Sequence, residues 1–544
     1  MERGMSDTQF DGIVIGAGHN GLITAAYLAK AGLKIAVFEE RQTVGGGFAT
    51  DEVTAPGFKH QLHAHYIKIH ESPVHTDLEL ERYGINYVFP DPKMAIVRNS
   101  SYFLYHQNRE KTYNSIKRIS AKDAETYREM STKWHRWYVD FILPEIYAPP
   151  KPHDQWEADI LAKPGGEEYL DAVKNYSPVE YGEKLFESEP CRLAIVRGAA
   201  SAEYNVRRKG MPALVFATIL NWFNETTAHV VGGAKQIPLA LARIVEENGG
   251  TIFENTRVAR IAIEDNVAKG IALDDGSEIS ANHFVASSID PVHTFLFMVG
   301  EEHLSQDLAE KAANFKFKGS SIFRVHLALK ERPRFLMAEQ EPTIDDSWKF
   351  TIGFEEPGDF AAIGDFVETG QLPEITGVDF GLTTIFDASS APDGQHVAYI
   401  GLPAPFELAD GGAERWASVA KDLGDRLIAK LREYAPNMTD DNIVGRFAYT
   451  PKDIEEYLPN MVSGDICQGE MSPEQLGYNR PWPGMSDYRT PISNLYLCGA
   501  STHPGGHAVG GSGYNAANAI ADDLAITKWW PAYDAHKIIE AWEN

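Results

Sequence analysis

Cysteine is scarce in this chain: Cys191, Cys467 and Cys498 are three residues among 544, and no two are close together. Without a CxxC pair, a dithiol redox centre, a zinc knuckle and an iron–sulfur cluster are excluded, and a reducing compartment is the fitting one. Each thiol reads as a small buried hydrophobe. Long hydrophobic runs are lacking too. Nothing approaches the roughly 18 apolar residues of a membrane span, and the longest apolar stretch, residues 211–223, contains Pro212 and Asn221. Residues 1–10 are polar and carry no apolar segment, so no secretory signal is expected. The expected location is the cytoplasm, with peripheral membrane contact left open. Positive charge is also in deficit, with 50 Lys and Arg against 77 Asp and Glu, a formal net charge of −27. Such a surface repels a phosphate backbone, so nucleic acid is not an expected partner. Internal repeats and low-complexity segments are absent as well.

The length suggests two interleaved domains, and the 43% hydrophobic and 23% charged residues are ordinary for a globular chain. The first 40 or so residues read as strand, tight turn, helix and strand. Residues 12–15 are apolar, 22–31 are Ala-rich, Gly32 stops the helix, and 33–38 return to a β-branched pattern. From residue 89 to 228 aromatics, prolines and charges mix, as expected of helices and loops in a second domain. Gly232-Gly233 opens a helix to about Asn248, followed by strands at 251–253, 257–263 and 267–273 that read as a β-meander, with 283–287 leading out of it. Strand-like alternation recurs at 321–329. A short strand at 494–497 runs into a second glycine-rich loop and an Ala-rich helix at 514–526.

Gly16-Ala17-Gly18-His19-Asn20-Gly21 matches G-x-G-x-x-G between a strand and a helix. Gly16 permits the turn, Gly18 lets backbone approach a pyrophosphate, and Gly21 lets helix and strand pack. The helix N-terminus supplies partial positive charge, so an acidic protein can still hold phosphates. The second strand ends in Glu39-Glu40, where a carboxylate accepts hydrogen bonds from a ribose; Glu39 is the first candidate and Glu40 its rival. A second cluster, Gly45-Gly46-Gly47, follows directly. An NAD-dependent dehydrogenase does not need one, whereas an extended FAD running past this loop does. No second dinucleotide fingerprint opens a later unit.

These motifs resemble those of the phytoene-desaturase-like FAD-dependent oxidoreductases, within the wider amine-oxidase and desaturase group. The run 11–48 is similar to their dinucleotide motif, and Asn494 through Gly506 is similar to their closing flavin motif. Gly464-Asp465-Ile466, Arg480-Pro481 and Asp487-Tyr488-Arg489-Thr490-Pro491 resemble the bacterial branch related to pyridine nucleotide-disulfide oxidoreductase domain-containing protein 2. The resemblance implies an α/β fold: a discontinuous, glutathione-reductase-like Rossmann FAD domain (1–88, 229–300, 485–544) and a mixed α/β substrate domain (89–228, 301–484). It implies that Gly499 through Gly506 lie along the ribityl–diphosphate, that Gly511 and Tyr514 open the last helix beneath the flavin, and that the Val258 backbone contacts adenine. This chain has Gly47 where many relatives have Arg, and His507 where many have Gly.

The resemblance places 59–66, with His63, His65 and Tyr66, along the path to the substrate. Cavity lining or proton handling is preferred there to metal binding, for no acidic residue completes a site nearby. His507 reads as an acid/base, a substrate ligand or loop packing, and His326 reads as structural. Tyr204, Trp222 and Phe223 are a candidate apolar wall, and Trp529-Trp530 a candidate contact surface. The implied reaction is dehydrogenation of a C–C bond in a small, largely apolar substrate such as an isoprenoid or a cyclic ketone. Electrons then pass to oxygen or a quinone. A flavin amine oxidase and a flavin-binding protein without turnover stay open, as does a homodimer.

Overall fold

Residues 8–200, 205–210, 228–317 and 321–543 are described by the computed structural model. Tyr204, Trp222, Phe223 and the stretch 211–223 lie outside them. β1 (Gln9–Ile15) enters the glycine turn, the helix His19–Lys30 follows, and β2 (Ile35–Phe38) returns parallel to β1. β2 and the second half of β1 are buried, as apolar parallel strands covered by helices are.

Three separated stretches of chain meet in this first sheet. Its order is β10–β11–β12–β1–β2–β9, with β9 at Thr251–Phe253, β10 at Val258–Glu264, β11 at Val267–Leu273 and β12 at Glu278–Ser287. β12 is shared along its length. Its residues Glu278–Ser280 pair antiparallel with β11, and Val285–Ser287 pair parallel with β18 (Leu495–Leu497). The expected meander is shifted by one strand. β9 leaves the helix Gln236–Glu247 and pairs parallel with β2 at the opposite edge, so the meander is β10–β11–β12. The reason lies in residues 255–256, whose N–H groups donate to the carbonyls of Arg41 and Glu39 and leave no hairpin between β9 and β10.

The second sheet runs β17–β13–β16–β15–β14–β6–β7. These strands are β6 (Met94–Val97), β7 (Tyr102–Tyr105), β13 (Ile322–Leu329), β14 (Lys349–Ile352), β15 (Val378–Leu382), β16 (His396–Pro403) and β17 (Ile443–Tyr449). One face carries Phe323, Val325, Leu327, Phe350, Phe380 and Ile400 into a core with Leu423, Leu427 and Leu431 of the helix Trp416–Tyr434. The period of two sends the alternate residues to the other face, where Arg324, His326, Lys349, Thr351, Asp379 and Tyr399 supply polar groups. Arg324, Gly401, Asp379 and Thr351 form one cross-strand row; His326, Tyr399, Gly381 and Lys349 form the next. Two short ribbons, β3 (Thr50–Asp51) with β4 (His60–Gln61) and β5 (Tyr87–Val88) with β8 (His229–Val230), link the two sheets.

Trp529 and Trp530 turn back onto their own chain. Trp529 stacks on Tyr27 at 5.5 Å and donates from Nε1 to the Tyr27 carbonyl at 3.1 Å, and Trp530 is buried. All three cysteines are buried; burial pushes the Cys498 thiol up to about 12, which keeps it inert. Among the described residues no helix is long and apolar enough to cross a membrane.

Candidate functional site

The three glycines of the first loop are needed for three different reasons. Gly16 has φ +89°, and a Cβ there would lie 2.4 Å from Ser288 Oγ. At Gly21 a Cβ would lie 2.3 Å from the Gly16 carbonyl oxygen, so only hydrogen lets the helix sit on the turn. At Gly18 a Cβ would meet nothing within 4 Å, because this residue faces open space. Gly18 also caps the helix His19–Lys30, whose first turn has no acidic residue and no side-chain cap, leaving its N–H groups to a ligand. The second glycine loop presses on the first: Gly45 N donates to the Ala17 carbonyl at 2.9 Å, and a Cβ on Gly46 would lie 3.0 Å from Gly18 Cα. A Cβ on Gly47 would lie 2.9 Å from Met461 Cε. Met461 thus fills the space beside Gly47.

Glu39 and Glu40 separate cleanly. The Glu39 carboxylate is 7% exposed and accepts from Ala17 N at 2.8 Å and Arg41 N at 3.0 Å. Burial raises its pKa, against the pull of those two bonds. Glu40 is exposed and lies 3.7 Å from Arg257. Both line one cavity of about 430 Å³, together with Gly16, Gly18, Gly21, Gly46, Gly47 and Val258. Gly499 and Gly506 line it from the C-terminal side, and a Cβ on Gly499 would lie 2.3 Å from the Ser288 carbonyl oxygen. That loop is held by Arg480, which is fully buried and donates to the carbonyls of Ala500 at 2.8 Å, Cys467 at 3.0 Å and Glu470 at 3.1 Å.

Two expected residues do not reach the cavity. Gly511 starts the helix Gly511–Asp523 against the Ile146 carbonyl, and Tyr514 is buried between Tyr27 and Tyr147, with ring centroids at 5.4 and 6.1 Å. They belong to the framework that seats this helix on the first one, where Thr24 Oγ1 donates to the Gly513 carbonyl at 3.0 Å.

The cavity continues from the glycine loops to the polar face of the second sheet, where His63, His65, Tyr66 and His507 line it. His63 Nε2 pairs with Tyr449 Oη at 2.9 Å; burial, then the charges of Arg324 and Arg41, lower it to about 3. His65 packs on Tyr399 at 4.3 Å, and burial followed by Arg324 and Lys349 holds it well below the ordinary histidine range. His507 is lowered to about 3 by burial and then by Arg480. His70 lies away from the cavity, against Trp542. His326 packs on His60 at 5.2 Å and is not in the lining. No group of His, Cys, Asp and Glu among the described residues is arranged to hold a metal.

Arg197, Arg324, Asp379 and Tyr399 also line this end and were not expected. Arg197 Nε donates to Asp379 Oδ1 at 2.8 Å and Thr351 Oγ1 donates to the same oxygen at 3.1 Å. The signal for Arg324 lay in the alternation of residues 321–329, which sets it opposite Phe323 and Val325. No local signal marks Arg197 or Asp379, which meet across 182 residues of sequence.

An extended dinucleotide fits this arrangement. The uncapped helix end beside Gly18 could hold a diphosphate and the Glu39 carboxylate, just after β2, a ribose, and the trough continues past Gly46 and Gly506 into the second sheet. The chain matches the family model described as flavin containing amine oxidoreductase over residues 21–521. It is 34% identical to a limonene dehydrogenase subunit of Castellaniella defragrans over 97% of each chain. It is 27% identical to mouse pyridine nucleotide-disulfide oxidoreductase domain-containing protein 2, over 96% of this chain and 95% of that one. Among solved structures a redesigned putrescine oxidase superposes with TM-score 0.61 at 16% identity, over 95% of this chain and 99% of that one, a likeness of fold alone. The chain therefore belongs to the flavin-containing amine oxidoreductase family and is an FAD-dependent oxidoreductase.

Proposed function

We propose that this enzyme dehydrogenates a C–C bond of a largely apolar substrate and passes the electrons to oxygen or a quinone. The observation that carries the reading is the continuity of one cavity, from the glycine loops to the face holding His63, His65 and Tyr66. The full-length similarity to a limonene dehydrogenase subunit supports it. FAD, when bound, supplies the two-electron oxidant that takes a hydride from a substrate carbon. The rest falls to the chain. Glu39 holds the adenosine ribose, the Val258 backbone meets adenine, and Gly18, Gly46, Gly499 and Gly506 give the cofactor its close backbone contacts. The walls of the second sheet orient the substrate and exclude water. His63 and His507, lowered to about 3, are neutral and weakly basic at pH 7. They accept a proton only from a carbon already made acidic, so their first role is to shape the site.

The test is anaerobic mixing of the purified holoenzyme with limonene, an acyclic isoprenoid, a cyclic ketone and cyclohexylamine, following the flavin absorption band. Bleaching by any of the first three is the expected result. Bleaching by the amine alone would move the enzyme to amine oxidation, a reading that the guanidinium groups of Arg197 and Arg324 in the lining disfavour, since they repel an ammonium ion.

A further inference from the structure

Within the cavity wall one side chain is conspicuously unserved. His65 is 4% exposed, lines the cavity, and neither Nδ1 nor Nε2 has a hydrogen-bond partner. A buried donor or acceptor left without a partner is destabilising, and native structures rarely leave buried polar atoms so. A purely hydrocarbon ligand would make this worse, because it displaces water and offers nothing in return.

The surroundings say what would serve it. His65 packs against one side of the Tyr399 ring at 4.3 Å, and the Arg324 guanidinium lies over the same ring at 4.9 Å. Both line the cavity with Tyr66 and Tyr399, and the Arg324 charge acts on His65. Arg324 brings donors only, one of which goes to the Leu62 carbonyl at 3.0 Å. Burial, and after it the charges of Arg324 and Lys349, favour the neutral form of His65, which keeps one N–H and one lone pair. A single oxygen that faces both residues accepts from the His65 N–H and from an Arg324 N–H at once, and a carbonyl oxygen has the two lone pairs to do so.

We propose that the substrate of this enzyme bears a carbonyl oxygen, held by His65 and Arg324 beside Tyr399, on an otherwise apolar skeleton. This rests on the dehydrogenase reading above and narrows its substrate to carbonyl compounds. It also separates the chain from an enzyme built for a hydrocarbon. A site made to hydrogen-bond a substrate oxygen discriminates strongly against the analogue that lacks it, because its buried polar groups are then left unpaired.

The experiment is equilibrium titration of the oxidised holoenzyme with cyclohexanone, its isosteric hydrocarbon methylenecyclohexane, and cyclohexanecarboxylate, reading the shift of the flavin band. Cyclohexanone is expected to bind at least tenfold more tightly than methylenecyclohexane. That advantage should fall at least tenfold in His65→Phe and in Arg324→Met, each checked for unchanged FAD content. Equal or tighter binding of the hydrocarbon by the unaltered protein overturns the proposal, and needs no variant to fold. Tighter binding of the carboxylate than of the ketone overturns it in favour of an anion site. The two readings fail separately. A ketone preference without bleaching by any substrate leaves the oxygen site and removes the reaction, whereas bleaching by limonene with no ketone preference does the reverse.

Discussion

The Glu39 carboxylate accepts a hydrogen bond from the backbone N–H of Ala17 at 2.8 Å, so the residue proposed to hold the ribose also braces the loop proposed to hold the diphosphate. A second bond, from Arg41 N at 3.0 Å, fixes the other carboxylate oxygen. Glu39→Ala is expected to weaken FAD binding about tenfold to a hundredfold, the worth of one charge-assisted hydrogen bond at about 1.5–3 kcal/mol. Glu40→Ala should stay within about twofold. Fluorescence titration of the apoprotein with FAD measures both, and equal losses would show that the ribose role is misplaced.

Gly18→Ala and Gly21→Ala should fail in different ways. A methyl at residue 18 enters open space and one at 21 lies 2.3 Å from the Gly16 carbonyl oxygen. The first variant is expected to fold with the stability of the apoprotein and to lose FAD. The second should lose about 1–3 kcal/mol of apoprotein stability through overpacking. Denaturant unfolding of both apoproteins decides it, and similar midpoints would contradict the close-packing argument.

Arg480 donates to carbonyls from two separate loops while fully buried. Replacing it by Met leaves those carbonyls unpaired, at about 1–3 kcal/mol each. Lys offers a compact ammonium in place of a planar fork and should rescue little. The expected result for both variants is a lowered Tm together with reduced FAD content. A Lys variant indistinguishable from the parent would mean that charge alone holds the loops.

Acid should destabilise the fold through its buried histidines. His60, His63 and His507 are each lowered to about 3 by burial, against about 6.5 in the unfolded chain. As pH falls below about 6.5 the unfolded state takes up these protons first, so stability is complete above that pH and drains away between about 6.5 and 3. Each such histidine contributes up to about 1.4 kcal/mol per pH unit in that window. His507→Gly should therefore flatten the decline between pH 6.5 and 4.5 by roughly 2 kcal/mol. Urea titrations at the two pH values measure it, and an unchanged slope would remove His507 from the account.

What could be read in advance follows the range of the interactions. The turn at Gly16, the helix His19–Lys30 and the strand Ile35–Phe38 are written in local periodicity and turn chemistry, and they stand where the pattern placed them. The partner of Thr251–Phe253 was not readable, because hydrogen bonds from residues 255–256 back to Glu39 and Arg41 decide it. That the glycines and Glu39 line one cavity followed from local sequence, since each has a local steric or charge requirement. Tyr514, expected beneath the flavin, packs beside Tyr27 and does not line the cavity, a placement set by contacts between distant helices. Arg197 and Asp379 carried no signal at all, for their pairing exists only once a helix lies against the edge of a distant strand.

The sharing of β12 between β11 and β18 has a consequence for how the protein is made. The strand Leu495–Leu497 and the loop through Gly506 come off the ribosome after some nine-tenths of the chain, yet they close the trough that the first fifty residues open. Contacts of that sequence separation form late. A nascent chain therefore carries an open edge on β12 from the completion of that strand at Ser287 until Leu495 emerges, and capture of the flavin becomes a report that translation has finished.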